Sequence, residues 1–150
     1  MQLVEGVSGR TAVVTGAAQG IGRNIADLLV ANGAKTAYLD LDKPNSFTES
    51  SLQKFFQCNV TEFQSIENAF TDIESVFGSV ELLVNNAGIF KITPIAETSI
   101  ELWNQMLAVN LTGAFLCSKR ALPGMKKKQY GRIVSIGSSA GKTLTDQSFT

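Results

Sequence analysis

The feature that most constrains this chain is a glycine pattern, Gly16-x-x-x-Gly20-x-Gly22, that follows the short apolar, β-branched run Thr11–Thr15. Such a run is typical of a buried strand, and apolar residues at helical spacing begin at Ile21, so the glycines mark a strand-to-helix turn. The first glycine permits a tight turn, the second opens backbone N–H groups to a pyrophosphate, and the third permits close helix packing. The helix amino terminus adds partial positive charge. An ordinary strand-to-helix turn does not require three glycines within seven residues, so we interpret the pattern as a dinucleotide site.

The rest of the chain alternates predicted strands and helices. Helices are predicted at Ile21–Asn32, from Ile66 to Phe77, and from about Ser99 to Pro123–Gly124; further strands are predicted at Lys35–Leu39, Phe55–Cys58, Val80–Val84 and Arg132–Ile136. Continuous apolar strands are buried on both faces, which predicts an α/β fold of the Rossmann type, a doubly wound parallel sheet with right-handed crossovers. Between Asp40 and Phe55 the turn residues allow at most a short helix at Ser50–Lys54. We expect one domain over residues 1–150.

Composition excludes several classes of function. Lys plus Arg and Asp plus Glu are each 13, and a chain without excess cation is not expected to bind nucleic acid. With no histidine, Ser-His-Asp, Cys-His and HExxH chemistry are excluded, and no metal is expected. Cys58 and Cys117 are expected to be small core residues. Met1–Glu5 lacks the features of a leader and no apolar run could span a bilayer, so we expect a cytoplasmic protein without membrane contact.

An acidic residue, Asp40, ends the second predicted strand 18 positions after Gly22. A carboxylate there accepts hydrogen bonds from the adenosine ribose hydroxyls and would repel a 2′-phosphate. Leu41 follows, and no adjacent arginine is available to bind that phosphate. These residues favour NAD over NADP. The alternative is an exposed turn aspartate, similar to Asp42.

Four segments resemble the short-chain dehydrogenase/reductase family. They are Thr15–Gly22, Asn85–Gly88, Val109–Phe115 and Gly131–Ser138, and they occur in the family's order and spacing over nearly the whole chain. Within the family, the sequence is most similar to 3-oxoacyl-carrier-protein reductases and related polyol or sugar dehydrogenases. The resemblance implies an NAD(P)-binding Rossmann domain that is the amino-terminal part of an oxidoreductase.

The resemblance also implies which residues contact the cofactor. The pyrophosphate side would be held by Gly16, Gln19, Gly20, Ile21 and Gly22. Asn59 and Val60 would bracket the adenine, with Asn59 standing where many relatives have aspartate. Asn86, Ala87 and Gly88 would support the fourth strand and line the ribose pocket.

Two catalytic roles follow from the same resemblance. Asn110 would be the helix asparagine of a catalytic tetrad and would hold a water that relays protons. Ser138 would hydrogen-bond the substrate oxygen, with Ser139 as the neighbouring alternative. By residue type alone, Asn110 could equally be a capped polar group in an apolar helix, and Ser138 could be one of the serines that commonly end strands.

The family's acid/base tyrosine, in a Tyr-x-x-x-Lys step, is not found in these 150 residues, because neither Tyr38 nor Tyr130 precedes a lysine by four. Its expected position is at or just beyond the first residue after Thr150. Without later strands, the Arg132–Ile136 strand would be an exposed apolar edge. We therefore expect the chain to be part of a longer polypeptide and to be inactive alone.

Two functions of different class remain open. The first is reversible hydride transfer between NAD(H) and a small secondary alcohol or ketone, in a homodimer or homotetramer built partly on the long helix. The second is a dinucleotide-binding sensor or structural subunit without turnover. The residues that follow Thr150 would discriminate between them.

Overall fold

A computed structural model describes residues 6–138 as a five-stranded parallel sheet with helices on both faces. The strands are β1 (Thr11–Thr15), β2 (Lys35–Asp40), β3 (Gln53–Gln57), β4 (Leu82–Asn85) and β5 (Arg132–Ser135), in the spatial order β3-β2-β1-β4-β5. The helices are α1 (Gly20–Ala31), α2 (Phe63–Phe77), α3 (Ile100–Leu107) and α4 (Ala114–Lys128), and a short 3₁₀ turn spans Ile95–Glu97. The predicted doubly wound α/β fold is confirmed.

The strand order places the helices in two layers. The chain moves outward from β1 to β3 and then jumps back to β4, so right-handed crossovers put α1 on one face and α2 with α4 on the other. Neighbouring residues of β1 point to opposite faces, as the pleat requires. Val14 packs with Ala26 of α1, whereas Val13 packs in a larger cluster with Phe70 of α2 and Cys117 of α4. Both cysteines are buried in this larger cluster, as predicted.

The connection from β2 to β3 contains no helix in the described stretch 41–52, which agrees with the prediction of at most a short one, but β3 begins at Gln53, two residues before the predicted strand. Pro44 lacks an N–H, and Ser46 has a φ of 53°, and both oppose helix formation. In place of a helix, Phe47 packs edge-on against Tyr38 with ring centroids 4.8 Å apart. The Tyr38 hydroxyl donates to Asp27 Oδ1 at 2.7 Å, and burial together with Asp27 raises the pKa of Tyr38.

The long helix does not end at Pro123–Gly124, so that predicted boundary is wrong. The helix runs from Ile100, capped by Ser99, through a π-helical turn at Ala108–Gly113 and on to Lys128. Proline costs one backbone hydrogen bond. Cys117, Ala121 and Met125 are all buried on one face, and their packing carries the helix past that loss.

An ion network joins α4 to α2. Arg120 Nε lies 2.9 Å from Glu67 Oε2, and Arg120 Nη2 lies 2.7 Å from Glu74 Oε2. Hydrogen bonding to Glu74 raises the pKa of Arg120 further above its already high value. The network fixes the helix pair that covers one face of the sheet.

None of the helices in residues 6–138 combines the length and apolar character that crossing a membrane requires.

Candidate dinucleotide-binding site

A cleft of about 560 Å³ opens where the carboxyl ends of β1, β2, β3 and β4 meet. Crossovers leave β1 and β4 in opposite directions there, and ligands of open α/β sheets bind at such switch points. Predicted site residues among those that line the cleft are Gly16, Gln19, Ile21, Asp40, Asn59, Val60, Asn86, Ala87 and Gly88. A wider concavity of about 770 Å³ lies at the other end of β5, between Leu122 and Ile133, and it contains none of the predicted site residues.

The glycine turn has the conformation that its sequence predicts. Gly16 and Gly20 have φ values of 65° and 58°, in the left-handed region where side chains are disfavoured. A Cβ on Gly16 would lie 2.8 Å from the Ala87 Cα, so the turn approaches the backbone after β4 too closely for a side chain. A Cβ on Gly22 would overlap the Gly16 carbonyl oxygen and the Asn86 amide nitrogen. Gly22 therefore packs closely against the turn and its clamp, where a side chain would not fit.

The amino terminus of α1 fits a pyrophosphate. Gln19 occupies the N-cap position, and its side chain makes no capping hydrogen bond to the described part of the chain. The first N–H groups of a helix have no intrahelical partner and attract anions. A Cβ on Gly20 would have no atom of residues 6–138 within 4 Å, so the backbone beside these amides is open. Gly20 and Gly22 shape this terminus without lining the cleft.

Two residues clamp the glycine turn to the end of β4. The Thr15 hydroxyl accepts hydrogen bonds from the backbone N–H groups of Asn86 and Ala87, both at 3.0 Å. The Asn86 side-chain nitrogen donates to the carbonyl oxygens of Thr15 at 3.1 Å and Gly16 at 3.0 Å. The order of the turn therefore depends on contacts 70 or more positions away in the chain.

Asp40 reaches the turn from the other side. Its Oδ2 accepts from the Ala18 N–H at 2.8 Å, and its Oδ1 accepts from the Leu41 N–H at 2.8 Å. The carboxylate is half-buried at the rim of the cleft. It therefore stands where the sequence predicts a ribose-binding acid, and it is also bonded to the turn itself.

Asn59 has its side chain engaged in a local turn ahead of α2. Its Oδ1 accepts from the Thr61 N–H at 3.1 Å and the Thr61 hydroxyl at 2.8 Å, and its Nδ2 donates to Glu62 Oε1 at 2.7 Å. Val60 lies directly against the π-helical turn that precedes α4, because a Cβ on Gly113 would be 3.0 Å from the Val60 Cγ2. Both residues line the cleft at the carboxyl end of β3.

Asn110 lies within the π-helical turn Ala108–Gly113. Its side-chain Oδ1 accepts from the Ile89 N–H at 2.8 Å, and its Nδ2 donates to the Ile89 carbonyl at 2.9 Å. Ile89 itself lines the cleft, next to Gly88. Asn110 therefore fixes the loop after β4 at the edge of the cleft, and a π turn is a frequent feature of functional sites.

Ser138 is exposed and lies three residues beyond β5, and it is not among the residues that line the cleft. Asn85 is a buried residue at the end of β4, beside β5; its Nδ2 donates to the Ser118 hydroxyl at 3.0 Å and is 3.5 Å from the Ser135 hydroxyl. The Ile136 N–H donates to the Asn85 carbonyl at 2.8 Å, which extends the β4–β5 ladder toward Ser138. The alternative Ser139 lies outside the described residues.

Several residues of the site were missed at the sequence level. The cleft is also lined by Leu39, Leu41, Cys58, Thr61, Ile89, Gln105 and Val109. Burial raises the pKa of Cys58, so its thiol is held protonated and is not a nucleophile at neutral pH. The role of Thr15 in holding the glycine turn could have been predicted, because Thr15 is a polar residue at the end of a buried strand, next to that turn.

The strand order, the switch-point cleft and the glycine turn define a Rossmann-type nucleotide-binding unit. The sequence profile described as short chain dehydrogenase matches residues 10–148. The chain belongs to that family.

Comparison with individual proteins agrees with this assignment. The chain is similar to a 3-oxoacyl-(acyl-carrier-protein) reductase from Salmonella typhimurium, with 42% identity over 137 residues that cover 89% of this chain and 56% of that protein. It is 35% identical to a D-beta-hydroxybutyrate dehydrogenase from Cupriavidus necator, covering 94% of this chain and 57% of that protein. A solved structure described as a short-chain dehydrogenase from Novosphingobium aromaticivorans superposes with a TM-score of 0.86 at 28% identity, covering 95% of this chain and 57% of that chain. The chain thus spans little more than half the length of these relatives.

Proposed function

We propose that the protein of which this chain is part interconverts a secondary alcohol and a ketone, with NAD(P) as the hydride carrier. The observation that carries the proposal is the clamped glycine turn at the switch-point cleft, whose wall residue Ile89 is held by Asn110. A dinucleotide requires such a turn, and the resemblance to the family gives Asn110 a part in the chemistry. Family membership supports the same class of reaction.

The proposal gives a role to the glycine turn, Asp40, Asn110 and Ser138. The bound nicotinamide supplies or accepts the hydride. The amides of the glycine turn and of the α1 amino terminus bind the pyrophosphate, and Asp40 accepts hydrogen bonds from the ribose hydroxyls. Ser138 holds the substrate oxygen, and Asn110 holds a water for proton relay.

Neither Tyr38 nor Tyr130 precedes a lysine by four, so we expect these 150 residues alone to bind the cofactor without turnover. No metal enters the proposed chemistry.

We further propose that NAD is preferred over NADP. A 2′-phosphate would lie close to the Asp40 carboxylate, which both backbone N–H contacts hold at the cleft rim. The nearest cation along the loop is Lys43, which lies 3.6 Å from Glu49. Repulsion between two negative charges that lie close together lowers the affinity for NADP by roughly several-fold, even where water partly screens them.

The relatives indicate a broad class of substrate. The named relatives act on a 3-oxoacyl group carried by a protein and on D-beta-hydroxybutyrate. Both contain an alcohol or ketone two carbons from a carboxyl derivative. We propose a small alcohol or ketone of that general kind. The apolar loop that begins at Ile89 would form one wall of the substrate pocket.

A second copy of the chain is the proposed partner. Apolar side chains recur at spacings of three and four along the long helix and are exposed at Ile100, Trp103, Leu107, Leu111 and Phe115. Such a stripe is typical of helix–helix packing. A homodimer or homotetramer is therefore proposed, and sedimentation of the protein with and without a charged residue in place of Trp103 would test it. The cytoplasmic location is a separate proposal.

The alternative function is a dinucleotide sensor or structural subunit without turnover. It shares the cleft with the first proposal, so binding alone does not separate them.

The first experiment titrates this chain with NADH and with NADPH and follows nicotinamide fluorescence. Tighter binding of NADPH would contradict the preference for NAD. Binding of neither cofactor would contradict the assignment of the cleft as a dinucleotide site.

The second experiment separates the two functions. The longer protein is mixed with NADH and a panel of 3-oxo esters, simple ketones and sugars, and loss of absorbance at the nicotinamide band is followed. Oxidation of NADH that depends on a ketone supports the enzyme. Tight NADH binding without oxidation by any member of the panel supports the sensor.

A further inference from the structure

We propose that Asp40 acts as a positioning residue for the glycine turn, in addition to the ribose contact that the proposed function gives it. The proposal rests on that function because the turn is argued to bind the pyrophosphate. The carboxylate would hold the turn in its binding conformation before any ligand arrives. The adenosine end and the pyrophosphate end of the site would then be coupled through one side chain.

The geometry assigns the two carboxylate oxygens to two different segments. Oδ2 accepts from the Ala18 N–H in the middle of the glycine turn, and Oδ1 accepts from the Leu41 N–H just after β2, both at 2.8 Å. The first contact spans 22 positions of sequence and joins the turn to the neighbouring strand. Short hydrogen bonds to an ionised acceptor are stronger than those between neutral groups.

A neighbouring backbone contact shows how much of the turn depends on this side chain. The Ala17 N–H donates to the Leu39 carbonyl at 3.1 Å, which continues the β1–β2 ladder and is independent of side-chain identity. One residue further on, at Ala18, the ladder has ended and the N–H is bonded to Asp40. On the opposite side the turn is held by Asn86. Asp40 is therefore the β2 counterpart of the Asn86 clamp.

Holding the turn and binding a ribose do not exclude one another. An ionised carboxylate offers about four lone-pair positions on its two oxygens. Two are used by Ala18 and Leu41, which leaves capacity for the two hydroxyls of a ribose. Loss of Asp40 would thus weaken binding twice, once through the ribose and once through the turn.

The test compares NADH with an NADH analogue whose adenosine ribose lacks both hydroxyls, for the wild-type chain and Asp40→Ala. If Asp40 acted through the ribose alone, both proteins would bind the analogue equally. We expect Asp40→Ala to bind the analogue about tenfold more weakly, the size of effect that one charge-assisted backbone contact can supply. Asp42→Ala, an exposed acid two positions along, is the matched control and should bind like wild type.

A second readout does not require a ligand. Amide hydrogen exchange at Ala18 should accelerate in Asp40→Ala, while exchange at Ala17 should stay near the wild-type rate. Asp40→Asn retains one acceptor and provides the same comparison if Asp40→Ala unfolds. Equal affinities for the analogue together with unchanged exchange at Ala18 would overturn the positioning role and leave the ribose contact intact. Faster exchange at Ala18 in Asp40→Ala, together with a wild-type chain that binds no NADH, would instead support the positioning role and refute the proposed function.

Discussion

The Gly22→Ala substitution tests the claim that the glycine turn is set by packing as well as by backbone freedom. Gly22 lies in the first turn of α1 with an ordinary φ, so alanine should raise helix propensity by about 1 kcal/mol if space were available. The Cβ would instead overlap the Gly16 carbonyl oxygen and the Asn86 amide nitrogen. These atoms belong to the clamp and cannot move independently.

The expected cost can be built from its parts. Overpacking of this kind costs about 1–3 kcal/mol. Displacing the Asn86 amide also weakens its hydrogen bonds to the Thr15 and Gly16 carbonyls, at about 0.5–1.5 kcal/mol each. After subtracting the propensity gain, the net loss in the free energy of unfolding is about 3 kcal/mol, which lowers Tm by about 6–12 °C for a chain of this size.

Thermal unfolding followed by circular dichroism measures this cost, and NADH titration measures its effect on the site. Gly124→Ala is the matched control, because a Cβ on that helical glycine would make only ordinary contacts with Ser79 and Glu74, at 3.4 Å or more, and alanine should stabilise the chain by up to about 1 kcal/mol. A Gly22→Ala chain that gains stability as Gly124→Ala does, with unchanged NADH affinity, would refute the packing argument.

Three further outcomes are expected. Thr15→Val should lower NADH affinity and the free energy of unfolding by about 1–3 kcal/mol, because two amides lose their acceptor, whereas Thr36→Val in the next strand should change little; equal losses would contradict the clamp. Arg120→Met should destabilise the chain in urea by about 1–3 kcal/mol, and by less when Glu74→Gln is also present. Burial raises the pKa of Cys117 from 9.0 to about 12, so the free energy of unfolding should fall as pH rises through this window, by up to about 1.4 kcal/mol per unit, and less steeply in Cys117→Ala; parallel pH profiles would count against it.

The sequence predicted the parts of this molecule that local pattern determines. The run Thr11–Thr15 and the helical spacing after Ile21 each correspond to an observed element, because period and glycine placement are properties of neighbouring residues. Asp40 was placed at the cleft for the same reason, since strand length fixes where its strand ends. The predicted end of α4 was wrong because the burial of Cys117, Ala121 and Met125 in the core, which local sequence does not show, decided it.

Other features had no local signal. The Ala18 contact of Asp40 and the clamp formed by Asn86 depend on which strands are neighbours, and that is a property of topology. The π turn around Asn110 likewise follows from tertiary packing, since no sequence period distinguishes it from a regular helix.

The local turn that engages the Asn59 side chain, by contrast, could have been predicted, because asparagine often accepts a hydrogen bond from the backbone two positions later.

The π turn at Ala108–Gly113 has a consequence for the kinds of sequence change that the site tolerates. A π turn closes its hydrogen bonds one residue later than an α-helix does, so it holds one more residue than a regular helix would. Deleting one residue there would restore α-helical bonding and rotate everything on one side of the deletion by about 100°. Asn110 could then no longer face Ile89 while Cys117 stays in the core. The helix should therefore be intolerant of any deletion within this turn.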